Sequence, residues 1–437
     1  MKMPLKNKLV IYVIFAIIIV LLPRAFTKTS ETRSVSIVTA MGIDKVDEDI
    51  EISVQIIVPK PQSGTTKNLM TVSAKNKDVS LALEDISIYL GKTIGIEHCD
   101  ALVIGKEISK NGIQDIFDYF FRGKKIEHNM LLIYYDGNAK ELIASTTNID
   151  KNFSLSLDEI TKTSSQYFST FETTIEKFYS EHYSNNKTSV VGVLKIKEGD
   201  YGLTLGDSNG GGESSSSSSQ SGSQSNSSGS SGSQGESSKS SSSDGNSSGE
   251  NKSNSKSKFL INSGESVVFK DWKAIKTLDH NQTISMNWFY PDAKKYSLRI
   301  DDVNDSLFNG ASVVFSIFNK RVGYKANFVG NVPVLEVNLN IDLKVENIIG
   351  GDKKDFENIN KNLFTPMLKS RVIGKILNDA YDIMDLLKQE KLDLIKIYDK
   401  FEKTNYAQLT EYINKNGIDA FYNALIPCVK VNITEKI

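Results

Sequence analysis

The stretch "VSIVTAMGIDKVDEDIEISVQIIVP", residues 35 to 59, decides how the rest of the chain is read. Its second half alternates Ile50, Ile52, Val54 and Ile56 with Glu51, Ser53 and Gln55, the period of two that puts one side of a strand in a core. Its first half runs through small and β-branched residues into Gly42-Ile43-Asp44-Lys45, and the acidic run Asp47-Glu48-Asp49 separates the two. The pattern is a β-hairpin. On this reading Gly42 lets the strand end turn tightly, Asp44 and Lys45 solvate the turn, and the acidic tip keeps a strand edge from pairing with strangers.

Ahead of the hairpin, Lys2, Lys6 and Lys8 precede Leu9 to Leu22, an uncharged and almost wholly apolar run. That order is the one found in secretory signals and signal anchors. As a helix the run rises about 21 Å, and its extension through Pro23 and a snorkelling Arg24 to Phe26 brings it to about 27 Å, against about 30 Å for a hydrocarbon core. Ala25-Phe26-Thr27 makes a poor cleavage site. Residues 1–27 are therefore expected to be an uncleaved anchor, with a cytoplasmic N-terminus and residues 28 onward outside.

Helices and strands alternate after the hairpin. Asp78 caps a helix carrying Leu83, Ile86 and Leu90, and "CDALVIG" (99 to 105) reads as a buried strand. Ile113, Ile116, Phe117, Phe120 and Phe121 share a helical face before the strand "NMLLIYY" (129 to 135) and the helix "NAKELIAS" (138 to 145). Residues 154 to 185 read as helical and "SVVGVLKI" (189 to 196) as a strand. From Glu213 to Ser257 the composition is almost entirely Ser, Gly, Gln and Asn, with no apolar residues to offset an ordering cost of about 1 to 2 kcal/mol per residue. This is a disordered linker spanning roughly 35 to 40 Å root-mean-square.

Beyond it, residues 265–279, 296–303, 311–318, 321–330 and 334–349 carry strand alternation. A long helix then starts near Pro366, shorter helices follow, and "CVKVNITEKI" (428 to 437) closes the chain as a strand. The expected class is α+β: a mixed-sheet N-terminal half and a β-rich, then α-helical C-terminal half, behind an N-terminal membrane anchor. The divisions are 1–27 anchor, 28–205 N-terminal α+β region, 206–258 Ser/Gly-rich linker and 259–437 C-terminal α+β domain.

The 437 residues carry 52 Lys plus Arg against 53 Asp plus Glu, so no electrostatic footprint for nucleic acid exists. Cys99 and Cys428 sit in no metal-ligand spacing and read as ordinary thiols. His98, His128, His182 and His280 are scattered, and His98-Cys99-Asp100 offers adjacent residues that point to opposite sides of a strand. The acidic hairpin tip lacks the spacing of a calcium loop, and "GDSNGGG" (206 to 212) lacks the ending of a phosphate loop. No catalytic, cofactor-binding or metal residues are assigned.

The order "SIVTAMGIDK", "EISVQIIVP", "HCDALVIGKEISKNGIQDIFDYFFRGKKIEHNMLLIYYDGNAKELI", then "SGESVVFKDWKAIKTLDHNQTISMNW" and "NVPVLEVNLNIDLKVENI" resembles the Ger(x)C family of spore germination proteins, the C subunits of GerA-type nutrient germinant receptors. The resemblance covers nearly all of the chain outside 1 to 27 and 206 to 258. It implies a non-enzymatic subunit on the outer face of the spore inner membrane, with the receptor's A and B subunits as partners and no cofactor. Three features depart from the family. No cysteine precedes Cys99 for lipidation, so a peptide anchor replaces the lipid; the serine-rich insertion is unusual; and the C-terminal segment has Tyr or Phe where the family has tryptophan. A stand-alone anchored envelope protein that binds a ligand by itself is the alternative reading, and an anchored hydrolase is a third. Within the subunit reading, the basic loop Arg122 to Lys125, after the Phe117, Phe120, Phe121 face, is the first surface expected to make protein contacts.

Overall fold

A computed structural model describes residues 35–58, 68–122, 126–127, 129–145, 153–198, 258–304, 309–350 and 364–436. The expected anchor and most of the expected linker lie outside them. The opening hairpin is present as β1 (Val35–Val46) and β2 (Asp49–Val58), with β3 (Asn68–Asn76) added antiparallel to β2. The turn falls at Asp47, which takes the left-handed φ of 57°. Gly42 is thus inside β1, opposite Ser53, and not at the strand's end.

From β3 the chain returns through α1 (Val79–Leu90), whose N-cap Asp78 accepts the Leu81 N–H at 2.9 Å and whose C-cap Gly91 is left-handed. Val79, Ala82, Leu83 and Ile86 face the sheet. β4 (Thr93–Gly95) and β5 (Ala101–Gly105) then pair parallel to β1. The helices α2 (Lys106–Asn111) and α3 (Gln114–Arg122) lead to β6 (Leu131–Tyr135), and α4 (Ala139–Ala144) follows it. The expected helix over 154 to 185 is two: α5 (Phe153–Gln166) and α6 (Ile175–His182). Phe168, at φ 61°, breaks between them, and Thr174 caps the second by accepting the Lys177 N–H. The break lets Phe168 bury against Trp288, with ring centroids 4.8 Å apart.

β7 (Thr188–Glu198) pairs parallel to β6, and β8 (Lys258–Lys270) lies next to it. Ser263 donates to the Val193 carbonyl at one point and Asp271 N–H to the Lys187 carbonyl at another, so β8 runs back along β7. β9 (Lys273–Leu278) completes the hairpin with β8. The sheet therefore runs β3-β2-β1-β5-β6-β7-β8-β9, with β4 beside β1, nine strands among the described residues. The boundary expected at 259 falls inside this sheet. The first two strands after the serine-rich insertion belong with the N-terminal half because Val267 and Phe269 bury in its core beside Val191 and Val193.

After α7 (His280–Asn287) come β10 (Tyr296–Asn304), β11 (Asn309–Val329) and β12 (Val332–Ile349), antiparallel neighbours in a second sheet. The expected alternation of β12 is observed: Leu335, Val337, Leu339, Ile341 and Leu343 are all buried. The two strands expected at 311–318 and 321–330 are one, with an irregularity between Ile317 and Asn319 that shifts the inward positions from odd to even numbers. Helix α8 (Pro366–Gln389) starts with proline after the cap Thr365 and buries Leu368, Val372, Ile376, Ala380 and Ile383, at about 1.5 to 3 kcal/mol for each larger side chain. α9 (Ile397–Asn416), α10 (Ile418–Ala424) and β13 (Ile426–Glu435), parallel to β12, end the fold. The protein is mixed α+β.

Because β7 and β8 are neighbours, the segment 199–257 connects two adjacent strands that run in opposite directions. Replacing it with a four-residue turn is expected to leave the urea midpoint unchanged or raised, since shortening the loop relieves about 2 kcal/mol of closure entropy at most. Unfolding curves of the shortened chain check this. A lower midpoint would mean that the segment adds buried contacts.

Candidate functional site

The Gly-Ile-Asp-Lys step is the first place where sequence positions far apart converge. Asp44 is 2% exposed, so it does not solvate the turn as expected. Its Oδ1 accepts the Ala139 N–H at 2.7 Å and its Oδ2 the Lys140 N–H at 2.9 Å, which caps α4 from another strand. Asn138, the residue at the cap position, makes no side-chain cap bond. Lys140 then reaches Glu51, the β2 partner of Asp44, at 2.7 Å. Burial, the larger effect, raises the Asp44 carboxyl above the usual range, and the two N–H bonds pull it back. A Cβ on Gly42 would lie 2.9 Å from Ile143 Cγ1, and one on Gly105 would lie 2.0 Å from Asp44 Oδ1. The two glycines are there because helix and carboxylate need their space. The step is a strand-to-helix clamp.

A second convergence lies between the two sheets. Lys320 is 1% exposed on β11, in an inward position created by the β11 irregularity. Its Nζ donates to the carbonyls of Asn287, Trp288 and Tyr290 at the end of α7, and sits 4.6 Å from the centre of the Phe168 ring. Burial pushes this ammonium down to about 7. Asn287 in turn donates to the carbonyl of Phe168 at 3.1 Å, so α7, β11 and the α5–α6 break are tied together. α7 carries the reciprocal cap of Asp279 and Gln282, a pattern visible in the sequence as Asp-x-x-Gln.

The third convergence is Asp393, also buried. It accepts the Ile397 N–H at 2.6 Å and the Tyr398 N–H at 3.0 Å at the start of α9, and the Tyr422 hydroxyl at 2.9 Å. Burial raises its carboxyl more than these bonds lower it. Its carbonyl takes the Thr188 hydroxyl at 3.2 Å, joining the C-terminal helices to the start of β7. Beside it lies a cleft of about 440 Å³ lined by Asn185, Asn186, Lys391, Tyr398 and Asp419. The charges here are committed: Lys391 pairs with Asp419 at 2.8 Å, and nearby Lys396 with Glu181 at 3.1 Å. The arrangement holds elements in place, and a lysine enclosed by three carbonyls offers no approach to a reacting carbonyl carbon.

Residues 28–196 match the family described as spore germination protein N-terminal domain, and residues 264–436 match spore germination B3/GerAC like, C-terminal. The chain belongs to the Ger(x)C family of spore germination proteins. The serine-rich insertion falls between the two matches. The crystal structure of the GerBC protein is similar over 91% of this chain and 96% of that one, at 12% identity and a TM-score of 0.48. No curated protein sequence matches at a significant level.

In this Ger(x)C protein the three histidines among the described residues do not meet. His98 and His280 are exposed, and His182 is buried with Nδ1 2.9 Å from the Phe178 carbonyl and its ring against Trp272, which lowers its pKa through desolvation. His128 lies outside the described residues. Cys99 is buried and its thiol is pushed up to about 12, while Cys428 is half-buried; both are free. Among the described residues no three His, Cys, Asp or Glu gather as metal ligands. Ahead of the expected contact loop Arg122 to Lys125, Phe117 and Phe120 are core and Phe121 stacks on Tyr179 at 3.8 Å, and Arg122 ends α3 in an exposed pair with Asp118. Residues 123–125 lie outside the described residues. A groove of about 260 Å³ opens between α1 and α3, lined by Leu83, Ile94, Tyr119 and Ile126 among others.

Proposed function

We propose that this Ger(x)C protein is a non-catalytic subunit of a nutrient germinant receptor. It is held by residues 1–27 with its folded part on the outer face of the spore inner membrane, and its partners are the receptor's A and B subunits. The observation that carries this reading is the pair of family matches, in order, over both halves of the chain. The way buried Asp44, Lys320 and Asp393 are spent on positioning supports a binding role over a chemical one. Among the described residues no helix is long and apolar enough to cross a membrane, so anchoring falls to Leu9–Phe26, outside them.

On this reading the insertion is a flexible linker and the two family segments are its flanking regions. The polar cleft at Asp393 favours one competing reading, a stand-alone ligand-binding protein. Deleting the gene separates the two: spores should lose their response to particular nutrients while growth, sporulation and germination by non-nutrient agents continue. Normal nutrient germination in the deletion strain, or tight nutrient binding by the purified full chain alone, overturns the subunit reading.

A further inference from the structure

α1 carries more apolar surface than the sheet covers. Val79, Ala82, Leu83 and Ile86 are buried beneath it, yet Ile88 and Tyr89 in its last turn are 68% and 67% exposed. Lys92, just past the cap Gly91, is exposed as well. The next residues form β4, which pairs with the first described residues of β1: Val35 opposite Thr93 and Ile37 opposite Gly95. The last turn of α1 and Lys92 therefore lead directly into β4, the strand paired with Val35, where the N-terminal segment joins the sheet.

The chain length outside the described residues says what covers this patch. The apolar run ends at Phe26, and residues 27–34, even fully extended, reach at most about 29 Å. The β4 end of β1 is thus leashed close to whatever holds that run. The side chains suit a lipid interface: an isoleucine for the acyl boundary, a tyrosine with an apolar ring and a polar tip, and a lysine whose stem can lie along apolar surface while its ammonium meets anionic headgroups. Resting on the anchor reading, we propose that Ile88, Tyr89 and Lys92 form a membrane-contact patch that seats this corner of the folded part at the headgroup–acyl boundary of an anionic bilayer.

The test uses the full chain reconstituted in phosphatidylcholine–phosphatidylglycerol vesicles. Thr93→Cys, beside the patch and exposed, carries an environment-sensitive fluorophore in a Cys428→Ser background; buried Cys99 stays unlabelled. Tyr406→Cys, on α9, is the exposed control. Carbonate washing reads the anchor separately. The expected result is retention after the wash, with a blue shift and loss of emission at position 93, but not 406, when lipids carry a nitroxide near the headgroup. The double variant I88E/Y89E should abolish both changes while retention persists. Retention with equal signals at 93 and 406 overturns the patch and leaves the anchor standing. A blue shift at 93 without nitroxide quenching also overturns it, since a protein surface then covers the site. Release by carbonate overturns the anchor reading and the patch with it.

Discussion

Gly105→Ala should lower the stability of the folded protein by about 2 to 4 kcal/mol, the sum of overpacking and a lost helix cap. The new Cβ would stand 2.0 Å from Asp44 Oδ1 and 3.1 Å from the Gly137 carbonyl oxygen. Asp44 has only two rotatable side-chain bonds, and both its oxygens are engaged with Ala139 and Lys140. Relief therefore means withdrawing the carboxylate from α4, which strands two N–H groups that Asn138 does not serve. Urea unfolding followed by far-ultraviolet circular dichroism measures the loss. Asp44→Ala in the Gly105→Ala background should then cost little more, because the same clamp has already opened. Additive losses, or an unchanged midpoint for Gly105→Ala alone, would sink the account.

Lys320→Met should cost about 2 to 3 kcal/mol at pH 7, because it leaves buried carbonyls of Asn287, Trp288 and Tyr290 without their shared donor. The lost ammonium also changes the pH profile. Its folded pKa is pushed down to about 7 from the ordinary 10.5. Below pH 7 both folded and unfolded states are charged and the burial penalty is fully present. As pH rises through 7 the folded lysine loses its proton while the unfolded one keeps it, so wild-type stability grows until about pH 10.5. Between pH 7 and 9 the gain is on the order of 2 kcal/mol. The methionine variant lacks this gain, so the gap between the proteins should widen with pH in that window. Parallel profiles would show that Lys320 is not the titrating group.

What the sequence disclosed and what it withheld divide along the range of the interaction. Asp78 before Val79, Pro366 after Thr365, and the alternation of Leu335 to Leu343 each act within a few residues, and each element stands where its local pattern puts it. α7 had the same kind of signal, Asp279 three residues ahead of Gln282, inside a region read only for strands. Asp44 could not be read this way. Its partners are on a helix 95 residues on, and a carboxylate next to a strand turn looks solvated until that helix is placed over it. Lys320 was hidden by one extra residue near Phe318, which reverses the inward parity so that a charged side chain takes a core position. Strand alternation likewise says which side of β8 is buried but not which strand lies beside it, so the sheet crossing the serine-rich insertion was invisible.

That shared sheet makes covalent continuity and physical integrity two separate properties of this protein. A protease that cuts anywhere in 199–257 produces two polypeptides, yet β7 on one and β8 on the other remain paired, with Val191, Val193, Val267 and Phe269 closing the same core across the break. Separation would bare two rows of backbone amides and that core at once. The nicked molecule should migrate as two bands under denaturing conditions and as one particle without them. β7 also runs parallel to β1 through β5 and β6, so its last described residue, Glu198, stands at the end of the sheet opposite Val35. If 199–257 is the flexible linker proposed above, the place where the chain is easiest to sever is thus a place where severing it frees nothing.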